Sequence, residues 1–242
     1  MEKLRLISKT IPWWLVARAA ALGLAWWFLP YGWFGVVALL LYFLPFFQPA
    51  RTALPFLVLL AITFFLPEPN VWMALLLSIL MFLILGVKDL LLVNRASASE
   101  ALFFTLVFVM LLVFFNNFGH SGQAGFWFYL FSIPAISFFL LNHLMFHYGG
   151  TELSPTRRAV RTGTLSFFLL QLLWIVSILP MNPYLQTGLV LVSLVTAVEI
   201  VLEQSRSALS RRGGLFFFSV WFVAVVLILT VNSWSIWSGS GM

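Results

Sequence analysis

Long uncharged apolar runs, separated by short turns, decide what this chain can fold into. One of them reads "LFFTLVFVMLLVFF" over residues 102–115, and similar runs recur along nearly the whole chain. A transmembrane helix needs about 20 mostly apolar residues. Charged residues make up only 8% of the chain, against about a quarter in soluble domains, so a soluble fold is excluded. We predict an all-α, polytopic integral membrane protein with one transmembrane domain over residues 1–242 and no soluble domain.

Turn residues divide the apolar sequence into nine segments. Stretches such as "LPYG", "PEPN" and "LPMNPY" break helices because proline removes an amide donor and glycine and asparagine favour turns. The transmembrane helices predicted from this division, numbered 1 to 9, cover residues 12–29, 32–48, 52–66, 71–87, 100–116, 125–147, 162–179, 184–203 and 214–232.

Predicted helices 2 and 3 fall short of a hydrocarbon core of about 30 Å at 1.5 Å per residue. Three prolines, Pro45, Pro49 and Pro55, lie around their junction. The alternative to nine spans is therefore seven spans plus a re-entrant hairpin at residues 32–66. A hairpin would leave the orientation of every other helix unchanged.

The basic residues give the orientation, because lysine and arginine are enriched in cytoplasmic loops. All thirteen of them lie before helix 1, in its first half, or in every second connection, and the opposite connections contain none. We predict a cytoplasmic N-terminus and an outside C-terminus, in the plasma (inner) membrane of a prokaryote. Trp26, Trp127 and Tyr184 are among the aromatic residues predicted at the outer interface.

Predicted helix 8 carries a polar stripe through the membrane. At 100° per residue its polar side chains share one broad arc. An ionisable residue inside a membrane faces the protein interior or a water-filled cavity, which makes the stripe a candidate proton or substrate pathway. Its members are Gln186, Ser193, Thr196, Glu199 and Glu203. Ion pairing of the two glutamates with nearby arginines is the structural alternative.

Predicted helix 6 ends in "LNHLMFHYGG", which places His143 and His147 four residues apart on one helix face. Such a pair can bind a metal ion or haem if another helix supplies further ligands. Glu199 and Glu203 have the same spacing at a matching depth. We therefore predict a candidate metal site at His143 and His147, with the cofactor unassigned.

A cytoplasmic basic surface is predicted beside these helix ends. A net charge of +6 on a membrane protein reflects its topology, so nucleic acid is not expected as a partner. The expected partners are the lipid bilayer and a membrane-protein partner or a second copy of the chain. The residues of the predicted surface are Arg157, Arg158, Arg161, Arg206, Arg211 and Arg212.

Missing residue types narrow the function. The chain has no cysteine, which excludes thiolate chemistry, and its only aspartate excludes aspartate-rich metal motifs. The first hypothesis is a small permease or a membrane-embedded subunit of a larger complex. The alternative is an intramembrane enzyme, or a metal- or haem-binding protein, with its site at the cytoplasmic ends of helices 6 and 8.

Overall fold

The secondary structure is helical throughout the described part of the chain. The structure is a computed structural model and describes residues 13–44, 52–64, 66, 70–88, 95–117, 123–148, 154–205 and 210–238. The helices in these ranges are α1 Trp13–Phe28, α2 Tyr31–Phe43, α3 Ala53–Thr63, α4 Val71–Lys88, α5 Arg95–Asn117, α6 Gln123–Tyr148, α7 Pro155–Ile178, α8 Pro183–Ser205 and α9 Arg211–Ser238. The ranges contain no strand, and the predicted all-α class is confirmed.

Five of the described helices are long and apolar enough to cross a membrane. They contain the segments Ser97–Asn117, Gly125–Phe146, Pro155–Ile178, Pro183–Gln204 and Arg212–Val231. Three shorter apolar helices cover Gly32–Phe43, Ala53–Thr63 and Val71–Gly86. These lengths and compositions are those of a helical membrane protein.

Helices α2 and α3 are shorter than the sequence predicts. They contain 13 and 11 residues. At 1.5 Å per residue they are about 20 Å and 16 Å long, well under the hydrocarbon thickness. Leu44 at the end of α2 has an extended backbone, so this helix stops before the predicted boundary at residue 48.

Helix α7 begins seven residues earlier than predicted, at Pro155 instead of residue 162. The Ser154 hydroxyl accepts a hydrogen bond of 3.3 Å from the Arg157 amide, and proline at the first helical position has a suitable backbone torsion. Arg157, Arg158 and Arg161 therefore lie in the first two turns of α7. Their predicted place in a connecting loop is wrong.

Helices α5 and α9 also begin before their predicted starts, at Arg95 and Arg211. At α9, the Ser210 hydroxyl accepts a hydrogen bond of 3.0 Å from the Gly213 amide and so caps the helix. Arg211 and Arg212 are consequently the first helical residues. Both helices begin before the predicted bounds because apolar runs set those bounds and the first turns of both helices are polar.

The chain divides into two compact units, residues 1–106 and 107–242. In the first unit, α1 contacts α2 and α4, and α3 contacts α2 and α4. The closest approach is at Gly23, where an added Cβ atom would collide with the Ala74 carbonyl and the Ser78 hydroxyl. Glycine thus lets α1 pack directly on the backbone of α4.

The ends of α2 and α3 meet through one aromatic and one polar contact. The rings of Tyr42 and Phe56 are stacked with centroids 4.0 Å apart. The Tyr42 hydroxyl and the Thr52 hydroxyl are 3.1 Å apart and share a hydrogen bond. These contacts fix the two short helices against each other whether or not they span.

Two residues of α1, Arg18 and Trp26, have buried side chains. Trp26 is 3% exposed and lies inside the first unit, and its place near the outer end of the membrane stays a prediction. Its side chain packs inside the unit because it falls on the same face as Leu15, Ala19 and Leu22. Arg18 is 5% exposed, with its guanidinium 4.7 Å from the centre of the Trp14 ring.

In the second unit, α6, α7, α8 and α9 pack each against the next. Asn142 near the end of α6 bonds Arg158 near the start of α7, and Gln186 of α8 bonds the last turn of α7. Neighbouring helices are therefore antiparallel. The C-terminal ends of α6 and α8 lie at the same end of the unit as the N-terminal ends of α7 and α9.

Candidate functional site

The first member of the α8 stripe, Gln186, bonds α7. Its side chain is 6% exposed. The amide Nε2 donates hydrogen bonds of 3.0 Å to the Val176 carbonyl and 3.0 Å to the Leu179 carbonyl. The last carbonyls of a helix have no partner within that helix. Gln186 thus joins the start of α8 to the C-terminal turn of α7.

The next member, Ser193, joins α8 to α9. It is buried, and its hydroxyl accepts a hydrogen bond of 2.9 Å from Nε1 of Trp221. Thr196 is half-buried and donates a hydrogen bond of 2.9 Å to the Val192 carbonyl of its own helix. Each of these three polar side chains therefore has a protein partner.

The two glutamates lie nearer the end of the unit where α7 and α9 begin, which we call the basic end, and are half-buried. Glu203 lies beside the start of α9, since its Oε2 is 3.7 Å from the place that a Cβ atom on Gly213 would take. The N-terminus of a helix carries a partial positive charge that stabilises a nearby carboxylate. Glu203 is thus placed to interact with the first turn of α9.

The end of α6 is joined to α7 through Arg158. The Arg158 Nε donates a hydrogen bond of 3.0 Å to Oδ1 of Asn142, and its guanidinium lies 4.8 Å from the centre of the Phe146 ring. Sequence reasoning did not identify Asn142. It stands directly before His143 in "LNHLMFHYGG". This segment was interpreted through its histidines as a metal site, and the Asn142 amide was not considered.

The proposed metal ligands are described only in part. The His143 side chain is half-buried at this end of α6, while the His147 side chain lies outside the described residues. Among the described residues, no group of three or more histidine, aspartate and glutamate side chains is arranged to hold a metal ion. The metal site at His143 and His147 stays a prediction.

The described arginines of the basic surface gather at one end of the second unit. Arg157 and Arg212 are exposed, and Arg158 and Arg161 are half-buried. Arg206 and the Arg211 side chain lie outside the described part. The basic end is therefore built from the first turns of α7 and α9, next to Glu203 of α8.

An apolar groove between α6 and α7 was not foreseen from the sequence. Its volume is about 460 Å³, and its lining residues are Trp127, Leu130, Phe131, Leu170, Gln171, Trp174 and Ile175. The rings of Trp127 and Trp174 are 5.4 Å apart at its rim. Gln171 is the one polar lining residue, and a lone glutamine within an apolar helix was the signal that could have revealed it.

A second groove of about 400 Å³ runs along α9. It is lined by Phe216, Ser219, Val220, Val223, Ala224 and Leu227. Neither of these two grooves includes a residue of the α8 stripe.

Comparison with known proteins gives no relative for this chain: no protein-family model, no curated protein and no solved structure matches it.

Proposed function

We propose that this chain is a membrane-embedded subunit that contributes helix surface to a larger membrane assembly, and that it carries no solute through its own helix bundle. The observation behind this proposal is the use of the α8 polar side chains. Gln186 and Ser193 are buried and bonded to α7 and α9, so they act as contacts between helices.

A permease with its pathway along α8 would need these groups to face water or substrate. Polar side chains buried between helices instead stabilise helix association in a membrane. Thr196 is bonded to its own backbone, which leaves it little capacity to bind a solute. These contacts favour the subunit hypothesis over the permease hypothesis.

Helix α9 supports the proposed role by the surface that it presents. Within Arg212–Val231, where the structure describes every residue, no side chain is buried. The side towards α8 carries Trp221 and Ile228. The Cδ1 atom of Ile228 is 3.9 Å from the place that a Cβ atom on Gly188 would take. The groove with Ser219 and Ala224 has small residues at which a partner helix can approach closely.

The same proposal includes an orientation. The basic end of the second unit, with Arg157 and Arg212, faces the cytoplasm, and the C-terminus lies outside, in the plasma membrane of a prokaryote. The first unit supplies either short spans or a re-entrant hairpin at α2 and α3. Single cysteines introduced at Arg157 and at Met242 should react with a membrane-impermeant thiol reagent from opposite sides, since the chain has no cysteine of its own.

Native gel electrophoresis of detergent-solubilised host membranes tests the subunit role. Val223→Trp in the α9 groove should reduce the mass of the assembly by the mass of the α9 partner. A larger ring is tolerated by lipid but not by a packed helix interface. Phe139→Trp, at an exposed position of α6, is the matched control and should leave the mass unchanged.

Two results would contradict the proposal. One is an unchanged mass for Val223→Trp. The other is solute or ion flux through proteoliposomes that hold the purified chain alone, provided that the flux is lost in Ser193→Ala without loss of folded protein.

A second candidate function is an intramembrane enzyme, or a metal- or haem-binding protein, at the basic end. It is favoured by the presence of His143 beside the Asn142–Arg158 contact and of two half-buried glutamates on α8, all at one end of the unit. Metal analysis of the purified protein separates this candidate from the first.

A further inference from the structure

The groove between α6 and α7 contains one polar side chain, Gln171, among apolar ones. Gln171 is exposed, and no hydrogen bond joins its side chain to any residue that the structure describes. Gln186, on the next helix, has the same carboxamide but is buried and makes two hydrogen bonds. The two glutamines therefore have opposite environments.

The depth of Gln171 makes its exposure costly. Helix α7 has 24 residues, and Gln171 lies four to five residues from its middle. At 1.5 Å per residue this is about 7 Å from the middle of the helix and about 15 Å from Arg161 at its basic end, so in a membrane Gln171 lies within the hydrocarbon core of about 30 Å. Lipid tails offer no hydrogen bond, so the amide needs a partner there. A headgroup at the membrane surface is too distant.

Gln171 belongs to a continuous exposed stripe on α7, opposite the buried face of this helix. The spacing of the stripe alternates between four and three residues, which matches the seam of two helices packed side by side. Its members are Val160, Thr164, Phe167, Gln171, Trp174 and Ile178. The Thr164 hydroxyl donates a hydrogen bond to the Val160 carbonyl of its own helix. The Gln171 amide is therefore the side chain of the stripe that is available to bond a partner.

We infer that this stripe, the α7 seam, binds the α7 seam of a second copy of the chain. A carboxamide carries both an acceptor and donors, so two Gln171 side chains can bond each other across a two-fold axis. In such a dimer the groove beside Gln171, rimmed by Trp127 and Trp174, receives side chains of the partner helix. The α7 seam lies on a different helix from the α9 surface, and the inference does not depend on the proposed function.

Disulfide cross-linking in native membranes tests the geometry. The chain has no cysteine, so each introduced thiol reports one position. Phe167→Cys and Trp174→Cys should form disulfide-linked dimers on mild oxidation. Val223→Cys, on the exposed surface of α9, is the control and should form far fewer. Equal cross-linking at all three positions would indicate random collision and would overturn the inference.

The role of the amide is tested by the dissociation constant of the purified dimer in detergent. Loss of an interhelical hydrogen bond worth about 1 kcal/mol should raise the constant about fivefold in Gln171→Leu. Gln171→Asn keeps the carboxamide and should stay nearer to the original value. An unchanged constant in Gln171→Leu, or a monomer at all concentrations, would refute the inference.

Two other occupants would also overturn it. One is a lipid-like molecule that co-purifies with a monomer and is lost in Gln171→Leu. The other is a different protein that cross-links to Phe167→Cys in place of a second copy.

Unchanged thermal stability of Gln171→Leu would show that the fold is intact and that the change lies in association.

Discussion

Replacing Gln186 by leucine should loosen the junction between α7 and α8 and lower the stability of the second unit. The wild-type amide makes two buried hydrogen bonds of 3.0 Å to the Val176 and Leu179 carbonyls. Both carbonyls keep one other bond, from the Leu179 amide at 3.1 Å and the Met181 amide at 2.8 Å. The substitution therefore removes two bonds without leaving either acceptor empty.

The magnitude follows from that count. A hydrogen bond contributes about 0.5–1.5 kcal/mol net in proteins and about 0.6 kcal/mol on average between membrane helices. Two of them give about 1–3 kcal/mol, and the greater apolarity of leucine offsets part of the loss. We expect Gln186→Leu to lower the free energy of unfolding by about 1–2 kcal/mol.

Unfolding of the purified protein by sodium dodecyl sulfate in mixed micelles, followed by circular dichroism, measures this change. Gln171→Leu is the matched control, measured at a dilution that keeps the chain monomeric. The exposed, unbonded Gln171 side chain should give a change within about 0.5 kcal/mol. If Gln186→Leu is as stable as the control, the junction described above does not hold α7 to α8, and the reasoning is refuted.

Three further predictions concern other contacts. Gly23→Ala should destabilise the protein by about 1–3 kcal/mol in the same assay because its Cβ meets the backbone of α4, whereas Gly35→Ala, in open space, should not. Arg158→Met loses a hydrogen bond and a cation–π contact to α6 and should cost about 1–2 kcal/mol, while Arg157→Met should change little. Elemental analysis should find no stoichiometric metal in the wild type or in His143→Ala. A bound metal that His143→Ala removes would favour the second candidate function.

Much of the architecture could be predicted because it follows from composition and from the residues that end helices. Each predicted segment overlaps one described helix, since the apolar runs and the proline and glycine turns are strong local signals. The starts of α7 and α9 were misplaced because their first turns are polar. The capping residues Ser154 and Ser210 were readable in the sequence and would have corrected both.

The use of the polar residues could not be predicted, because it depends on which helices are neighbours. The sequence places Gln186 and Ser193 on one face of α8, and a pathway and a packing surface give the same pattern. Only the positions of α7 and α9 distinguish the two. Gln171 was overlooked for the opposite reason: as a single polar residue it forms no pattern, and its exposure is visible only in the folded chain.

The accessibility of position 193 tests the central claim most directly. The account predicts that Ser193→Cys, in folded protein in the membrane, does not react with a water-soluble thiol reagent, because this position is buried against Trp221. Arg157→Cys should react readily, and detergent-unfolded Ser193→Cys should react as well. Labelling of folded Ser193→Cys at the rate of Arg157→Cys would place water along α8 and contradict the account.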